Sequence, residues 1–110
     1  MRMTASARDV FDDIAVEYLT RPGVDIGPMF SAEGLRIRGK VFAFLAQEKG
    51  LIAKLPEDRV TDLDATGRAE RMTMRQRAMR EWVFVGSDAV DLWPAVIAEA
   101  FDFVDRITPR

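Results

Sequence analysis

The sequence contains no cysteine and no histidine. Without cysteine the chain forms neither disulfides nor thiolate metal sites, so a reducing, cytoplasmic location is expected. Without histidine it lacks the imidazole that Ser-His-Asp and Cys-His catalytic sites use and that most transition-metal sites need.

Carboxylates alone can hold magnesium or calcium. However, Asp12 and Asp13 diverge along their predicted helix, as do Asp62 and Asp64, and neither pair has a third ligand at a useful spacing. We therefore expect no catalytic residues, no metal site and no cofactor.

Long apolar runs are also missing, since none approaches the roughly 20 residues that a membrane-spanning helix needs. The N-terminal residues lead into an acidic segment, which is not typical of a secretory signal. No membrane partner is therefore expected. The 110 residues are 48% hydrophobic and 31% charged, which indicates one globular domain over residues 1–110.

The charge is unevenly distributed, although the whole chain carries only −2. Residues 1–33 carry −3 and residues 81–110 carry −4, whereas residues 34–80 hold eleven basic and six acidic groups, a net +5. A basic middle between two acidic ends favours an anionic ligand for the middle segment.

Hydrophobic periodicity predicts the element order α-β-β-β-α-β-β-α. The first helix covers residues 4–20, with Thr4 or Ser6 as its cap, and a loop follows at 23–28. Three strands are expected at 29–38, 41–46 and 51–55, the first interrupted at 31–34. A turn at 48–50 precedes the third of these strands. A helix at 56–65, strands at 70–74 and 82–85 and a final helix starting near Asp91 complete the order. The predicted fold is α+β, with two layers, in which the helices pack on one face of a five-stranded antiparallel sheet and leave the other face open.

Alternation along the strands places a basic surface on that open face. Leu35 and Ile37 point toward the helices, and Arg36 and Arg38 point away from them. The candidate nucleic-acid-binding residues are Arg36, Arg38, Lys40, Lys54, Arg71, Arg75, Arg77 and Arg80, with Trp82 as a stacking ring. Residues 75–80 are expected to form a basic connection, and Met72 and Met74 to point into the core. The alternative is a solvated sheet face whose arginines pair with neighbouring glutamates, as half-exposed antiparallel sheets commonly show.

Several segments, taken in order, resemble a known family. They are Met29-Phe30 with Gly34-Leu35, residues 38–43 (RGKVFA), Lys54-Leu55-Pro56 with Arg59-Val60, Gly67, residues 79–83 (MREWV), and Trp93-Pro94. The series resembles the TfoX/Sxy N-terminal-domain family and the related YjbR/MmcQ-like proteins. The resemblance implies a two-layer α+β fold similar to CyaY and the secretion chaperones. It also implies a DNA-binding role connected with transcription or natural competence.

Two functions follow from these patterns. The first is a non-enzymatic domain that binds DNA through a basic open sheet face. The second is a protein-interaction module, such as a homodimer that pairs through the sheet, with no nucleic acid. A continuous basic face in the structure would favour the first function, and an apolar face would favour the second.

Overall fold

A computed structural model describes residues 6–29, 32–46 and 49–110. The elements are α1 (Ala7–Tyr18), β1 (Val24–Met29), β2 (Ala32–Ile37), β3 (Lys40–Ala46), β4 (Gly50–Lys54), α2 (Glu57–Thr66), β5 (Glu70–Met74), β6 (Arg77–Gly86), a 3-10 helix (Ser87–Leu92) and α3 (Trp93–Ile107). The strands form one antiparallel sheet in the order β1-β2-β3-β4-β6-β5. The predicted α+β class, antiparallel open sheet and three α-helices are confirmed. Thr4, Phe30, Ser31 and Glu48, on which parts of the prediction rest, lie outside the described residues.

The prediction of five strands is wrong because β1 occupies the segment that we expected to be a loop. Its glycine and proline are typical of a turn, but β1 lies at the edge of the sheet, where a proline needs no ladder partner for its missing N–H. Packing disfavours a side chain at Gly27, because a β-carbon at this position would overlap the guanidinium of Arg36. An edge strand can therefore carry Gly27 and Pro28.

The prediction of a basic connection at residues 75–80 is also wrong. β5 ends at Met74 as predicted, but β6 begins at Arg77, so the connection is a two-residue turn. Arg75 and Gln76 adopt positive φ values of 54° and 67°, the left-handed conformation that a tight hairpin turn requires. Asn-Gly is the usual sequence for such a turn, so Arg-Gln gave no turn signal. The two strands form a long hairpin.

One face of the sheet builds the core together with the helices. Its residues include Leu35, Ala43, Leu45, Leu51, Ala53, Val83 and Val85, all at most 1% exposed. Against them α3 packs Trp93, which is fully buried and donates its indole N–H to the Val85 carbonyl at 3.1 Å. The prediction that Met74 points into this core is wrong, since Met74 is 48% exposed.

The helix ends follow local chemistry. The Ser6 hydroxyl accepts the backbone N–H of Asp9 at 3.1 Å, which selects Ser6 as the cap of α1. Gly67 ends α2 in the left-handed conformation, which glycine adopts without strain. α3 begins two residues later than expected, at Trp93. Asp91 lies before it and accepts a hydrogen bond from Arg68 at 2.6 Å.

Candidate nucleic-acid interface

The centre of the open sheet face is apolar. Phe44, Ile52 and Phe84 lie directly opposite one another on β3, β4 and β6. Because their strand neighbours Leu45, Leu51 and Val85 face the helices, this row faces away from them. The prediction of a basic open face is therefore wrong at its centre. The signal was present in β3, whose residues are apolar on both faces.

Arg36 does lie on the open face, but it is bound within the fold. It stands opposite Asp25 on β1 and donates two hydrogen bonds to that carboxylate, at 2.9 and 2.7 Å. These bonds lower the pKa of the Asp25 carboxyl below its ordinary value. Arg36 therefore ties β2 to the edge strand.

Arg38 does not point to the open face. It follows β2 in the turn, with φ at +50°, and its side chain reaches the end of α3. It donates to the carbonyl oxygens of Asp105 (2.8 Å), Thr108 (2.9 Å) and Pro109 (3.1 Å), and it forms an ion pair of 2.9 Å with the Asp105 carboxylate. A guanidinium at this position satisfies the carbonyls that a helix end leaves without partners.

Arg71 is likewise engaged inside the fold. It lies opposite Val83, on the side of the sheet that carries α2. Its guanidinium donates to the Arg80 carbonyl at 2.9 Å and to the Thr61 hydroxyl, and its backbone N–H donates to Asp64 at 2.8 Å. Three of the nine candidates, Arg36, Arg38 and Arg71, thus hold the scaffold together.

The other six candidates line two depressions that meet at Trp82. The first has a volume of about 690 Å³ and is lined by Glu57, Met74, Arg75, Arg77, Ala78, Met79, Arg80, Glu81 and Trp82. The second has a volume of about 390 Å³ and includes Lys40, Val41, Lys54 and Trp82 beside the last turn of α3. We call Lys40, Lys54, Arg75, Arg77, Arg80 and Trp82 the hairpin surface.

The arginines of the hairpin surface differ from all others in the part of the chain that the structure describes. Each of those other arginines has an ion pair, a side-chain hydrogen bond or an aromatic ring as partner. No such partner is found for Arg75, Arg77 or Arg80 among residues 6–29, 32–46 and 49–110. Glu57 and Glu81 line the same depression, and Glu81 lies 3.8 Å from Lys54. The depression therefore keeps an excess of positive charge.

Trp82 is not a core residue. Its ring is half-buried, with Phe44 edge-on at 6.3 Å and the Lys54 ammonium 5.7 Å from its centroid. Its indole N–H has no partner in the described residues, and no buried side-chain nitrogen there lacks one, so solvent reaches it. The indole N–H of Trp93, by contrast, is used inside the fold.

The sequence did not single out Gln76 or Met79 as site residues, and we expected Met74 to fill the core. Met74 and Met79 line the first depression, and Gln76 lies at the tip of the hairpin. The clustering of three methionines between arginines was the available signal, since methionine is common on adaptable binding surfaces. For Gln76 there was no signal.

Within the described residues no group of three or more acidic side chains is placed to hold a metal ion. No helix there is long and apolar enough to cross a membrane.

Comparisons of the chain with models of protein families, with curated proteins and with solved structures found no match. The resemblance to the TfoX/Sxy and YjbR/MmcQ-like proteins, with the fold likeness it implies, stays a prediction.

Proposed function

We propose that the protein is a small, cytoplasmic, non-enzymatic domain that binds nucleic acid, and that the hairpin surface is its interface. The observation that carries the proposal is the grouping of the unpartnered Arg75, Arg77 and Arg80 beside the accessible ring of Trp82. The interface proposed from the sequence thus moves from the centre of the open sheet face to one end of the sheet.

The chemistry of this surface suits a phosphate backbone. Guanidinium groups bind phosphate through paired, charge-assisted hydrogen bonds, and the indole N–H of Trp82, which solvent reaches, is a further donor beside them. The net charge of −2 does not oppose such binding, because charges more than about 8 Å apart at physiological salt are largely screened from one another. A phosphate at the hairpin surface interacts with the local excess of arginine there. The resemblance to DNA-binding, competence-related proteins supports the same ligand.

A binding titration tests the proposal. Labelled DNA is titrated at low salt, and binding is followed by fluorescence anisotropy. We expect R77Q/R80Q to weaken binding by about tenfold or more, because each lost phosphate contact removes counterion release. The matched control, R8Q/R68Q, removes the same charge from two exposed arginines that pair with Asp12 and Asp91 and lie outside the hairpin surface. Equal loss in both variants, or no binding by the wild type, would contradict the proposal.

The apolar centre of the open face favours a second candidate, a homodimer that pairs through the sheet. Phe44, Ile52 and Phe84 form the apolar row, and the Asp25–Arg36 pair beside it is neutral. A two-fold interface sets each patch against its own copy, so a neutral patch meets no like charge. The homodimer predicts a dimer mass by light scattering, which Phe84→Lys reduces to the monomer mass. A monomer at high protein concentration would argue against it.

A further inference from the structure

We infer that the β5–β6 hairpin enters the major groove of duplex DNA, with Arg75 and Gln76 at the base edges. The inference rests on the proposed function and names the form of nucleic acid that the hairpin surface takes. Its basis is the shape, bracing and tip chemistry of the hairpin.

The hairpin extends beyond the rest of the sheet. β4 pairs with β6 only from Trp82 to Gly86, and the Leu55 N–H adds one further bond to the Glu81 carbonyl at 2.9 Å. Before Glu81, β6 pairs with β5 alone, and every residue from 73 to 78 is exposed. The paired part of this ribbon has two residues on each strand, Thr73–Met74 opposite Arg77–Ala78, so at about 3.3 Å per residue it extends about 7 Å before the two-residue turn.

These dimensions match one groove of DNA. The major groove of B-DNA is about 12 Å wide and about 8.5 Å deep, and it admits a two-stranded β-ribbon. The minor groove of straight B-DNA, about 6 Å wide, admits two strands only if the duplex is bent or the groove is widened, which costs deformation energy. In duplex RNA the major groove is deep and narrow, so the same ribbon does not fit. The shape therefore selects duplex DNA.

The root of the ribbon is braced against α2. Arg71 joins the two strands through the Arg80 carbonyl, at 2.9 Å, and joins both to Thr61 of α2. The Arg71 backbone N–H adds a bond to Asp64 of α2 at 2.8 Å. A ribbon held in this way enters a groove with little ordering cost.

The tip carries side chains where the backbone favours glycine. Arg75 and Gln76 both have left-handed φ values, which residues with a β-carbon adopt at a cost. Asn-Gly would form the same turn without that strain. The tip instead presents a guanidinium and a carboxamide, the groups that form paired hydrogen bonds with guanine and adenine in the major groove. Arg77 and Arg80 follow on β6 and are placed to meet the flanking phosphates.

The test compares three labelled probes of one sequence: duplex DNA, its single strand and the corresponding duplex RNA. We expect duplex DNA to bind at least about tenfold more tightly than the single strand or the duplex RNA. Methyl green, which occupies the major groove, should displace the protein, and netropsin, which occupies the minor groove, should not.

R75N/Q76G is the decisive variant, because it keeps a hairpin turn and removes the two tip side chains. We expect an unchanged or higher melting temperature and duplex binding weakened at least about fivefold, well beyond the effect of R8Q, which removes the same charge. If the single strand or RNA binds as well as duplex DNA, or if R75N/Q76G binds like R8Q, the inference fails and the proposed function stands. If no probe binds, both fail.

Discussion

Arg38 shows how one side chain can be predicted on a surface and be found in the scaffold. Strand alternation correctly separated Leu35 and Ile37 from Arg36, but it was extended one residue too far. Arg38 already lies in the turn, at φ +50°, where alternation no longer applies. Nothing near it in the sequence indicates that the end of α3, about seventy residues later, lies beside it.

Replacing Arg38 by alanine should destabilise the fold by about 1–3 kcal/mol, because three carbonyls and a carboxylate lose a charged donor. The Arg38 side chain is only 21% exposed, so water replaces these bonds poorly. Urea unfolding measures the difference. Arg8→Ala, which removes an exposed pair with Asp12 at 3.2 Å, is the control and should cost less than about 0.5 kcal/mol. Equal costs would show that the contacts of Arg38 contribute no more than a surface ion pair.

A second prediction concerns the acid side of the stability curve. Hydrogen bonds from Arg36 and Arg68 lower the pKa of Asp25 and Asp91, respectively, in the folded protein. A lowered pKa means that the unfolded chain takes up the proton first. The stabilisation is therefore present above the unfolded pKa of about 3.9 and is lost progressively as the pH falls from there through the lowered folded pKa.

The wild type should accordingly lose more stability than D25N/D91N between about pH 5 and pH 3. Denaturant unfolding at each pH measures this difference, and the many other carboxyls cancel in the comparison. Parallel stability curves for the two proteins would contradict the role assigned to these two pairs.

At the scale of whole elements, periodicity located the three helices and β3, β4 and β5 closely. It failed for β1 and for the first half of β6, and both failures have a physical cause. The edge position of β1 removes the requirement for a proline N–H, and this position is a property of the assembled sheet. The turn at Arg75-Gln76 uses residues that seldom adopt its conformation, so local sequence could not separate a hairpin from a loop.

Two strand glycines should respond very differently to alanine. At Gly50 a β-carbon would lie 2.6 Å from the Val85 carbonyl oxygen and 2.8 Å from the Gly86 Cα, and both are backbone atoms of a paired strand. Gly50→Ala should therefore cost about 3 kcal/mol. At Gly27 the obstacle is the end of the Arg36 side chain, which can rotate away.

Gly27→Ala should thus cost much less stability than Gly50→Ala, since it disturbs one exposed ion pair. It should also return the Asp25 pKa toward its ordinary value, which NMR titration detects. A larger loss of stability for Gly27→Ala than for Gly50→Ala would mean that the packing of β4 against β6 is misassigned.

At the scale of the whole molecule, the net positive charge of residues 34–80 was the feature of the sequence that indicated the site. The basic middle of the chain does contain the five basic residues of the hairpin surface, but its arginines serve two purposes. Arg36, Arg38 and Arg71 are used to join elements, and Arg75, Arg77 and Arg80 remain without partners in the described part of the chain. Composition cannot separate the two groups, because the difference depends on which carboxylates and carbonyls the fold places within reach.

The apolar open face and the hairpin surface also need no common function. The open face was the surface on which the two functions were to be distinguished, and its apolar centre favours pairing through the sheet. The unpartnered arginines are at one end of the sheet, where Trp82 separates the two depressions. A dimer formed through Phe44 and Phe84 would leave the exposed tip of the hairpin free for a ligand.

The salt dependence of DNA binding tests the proposed function most directly. The logarithm of the association constant should fall linearly with the logarithm of salt concentration, with a slope of about −0.9 for each phosphate contact. R77Q/R80Q should therefore bind with a slope shallower by about 1.8 than that of the wild type, and R8Q/R68Q should leave the slope unchanged. A slope that is the same in all three proteins would contradict the assignment of the hairpin surface as the nucleic-acid interface.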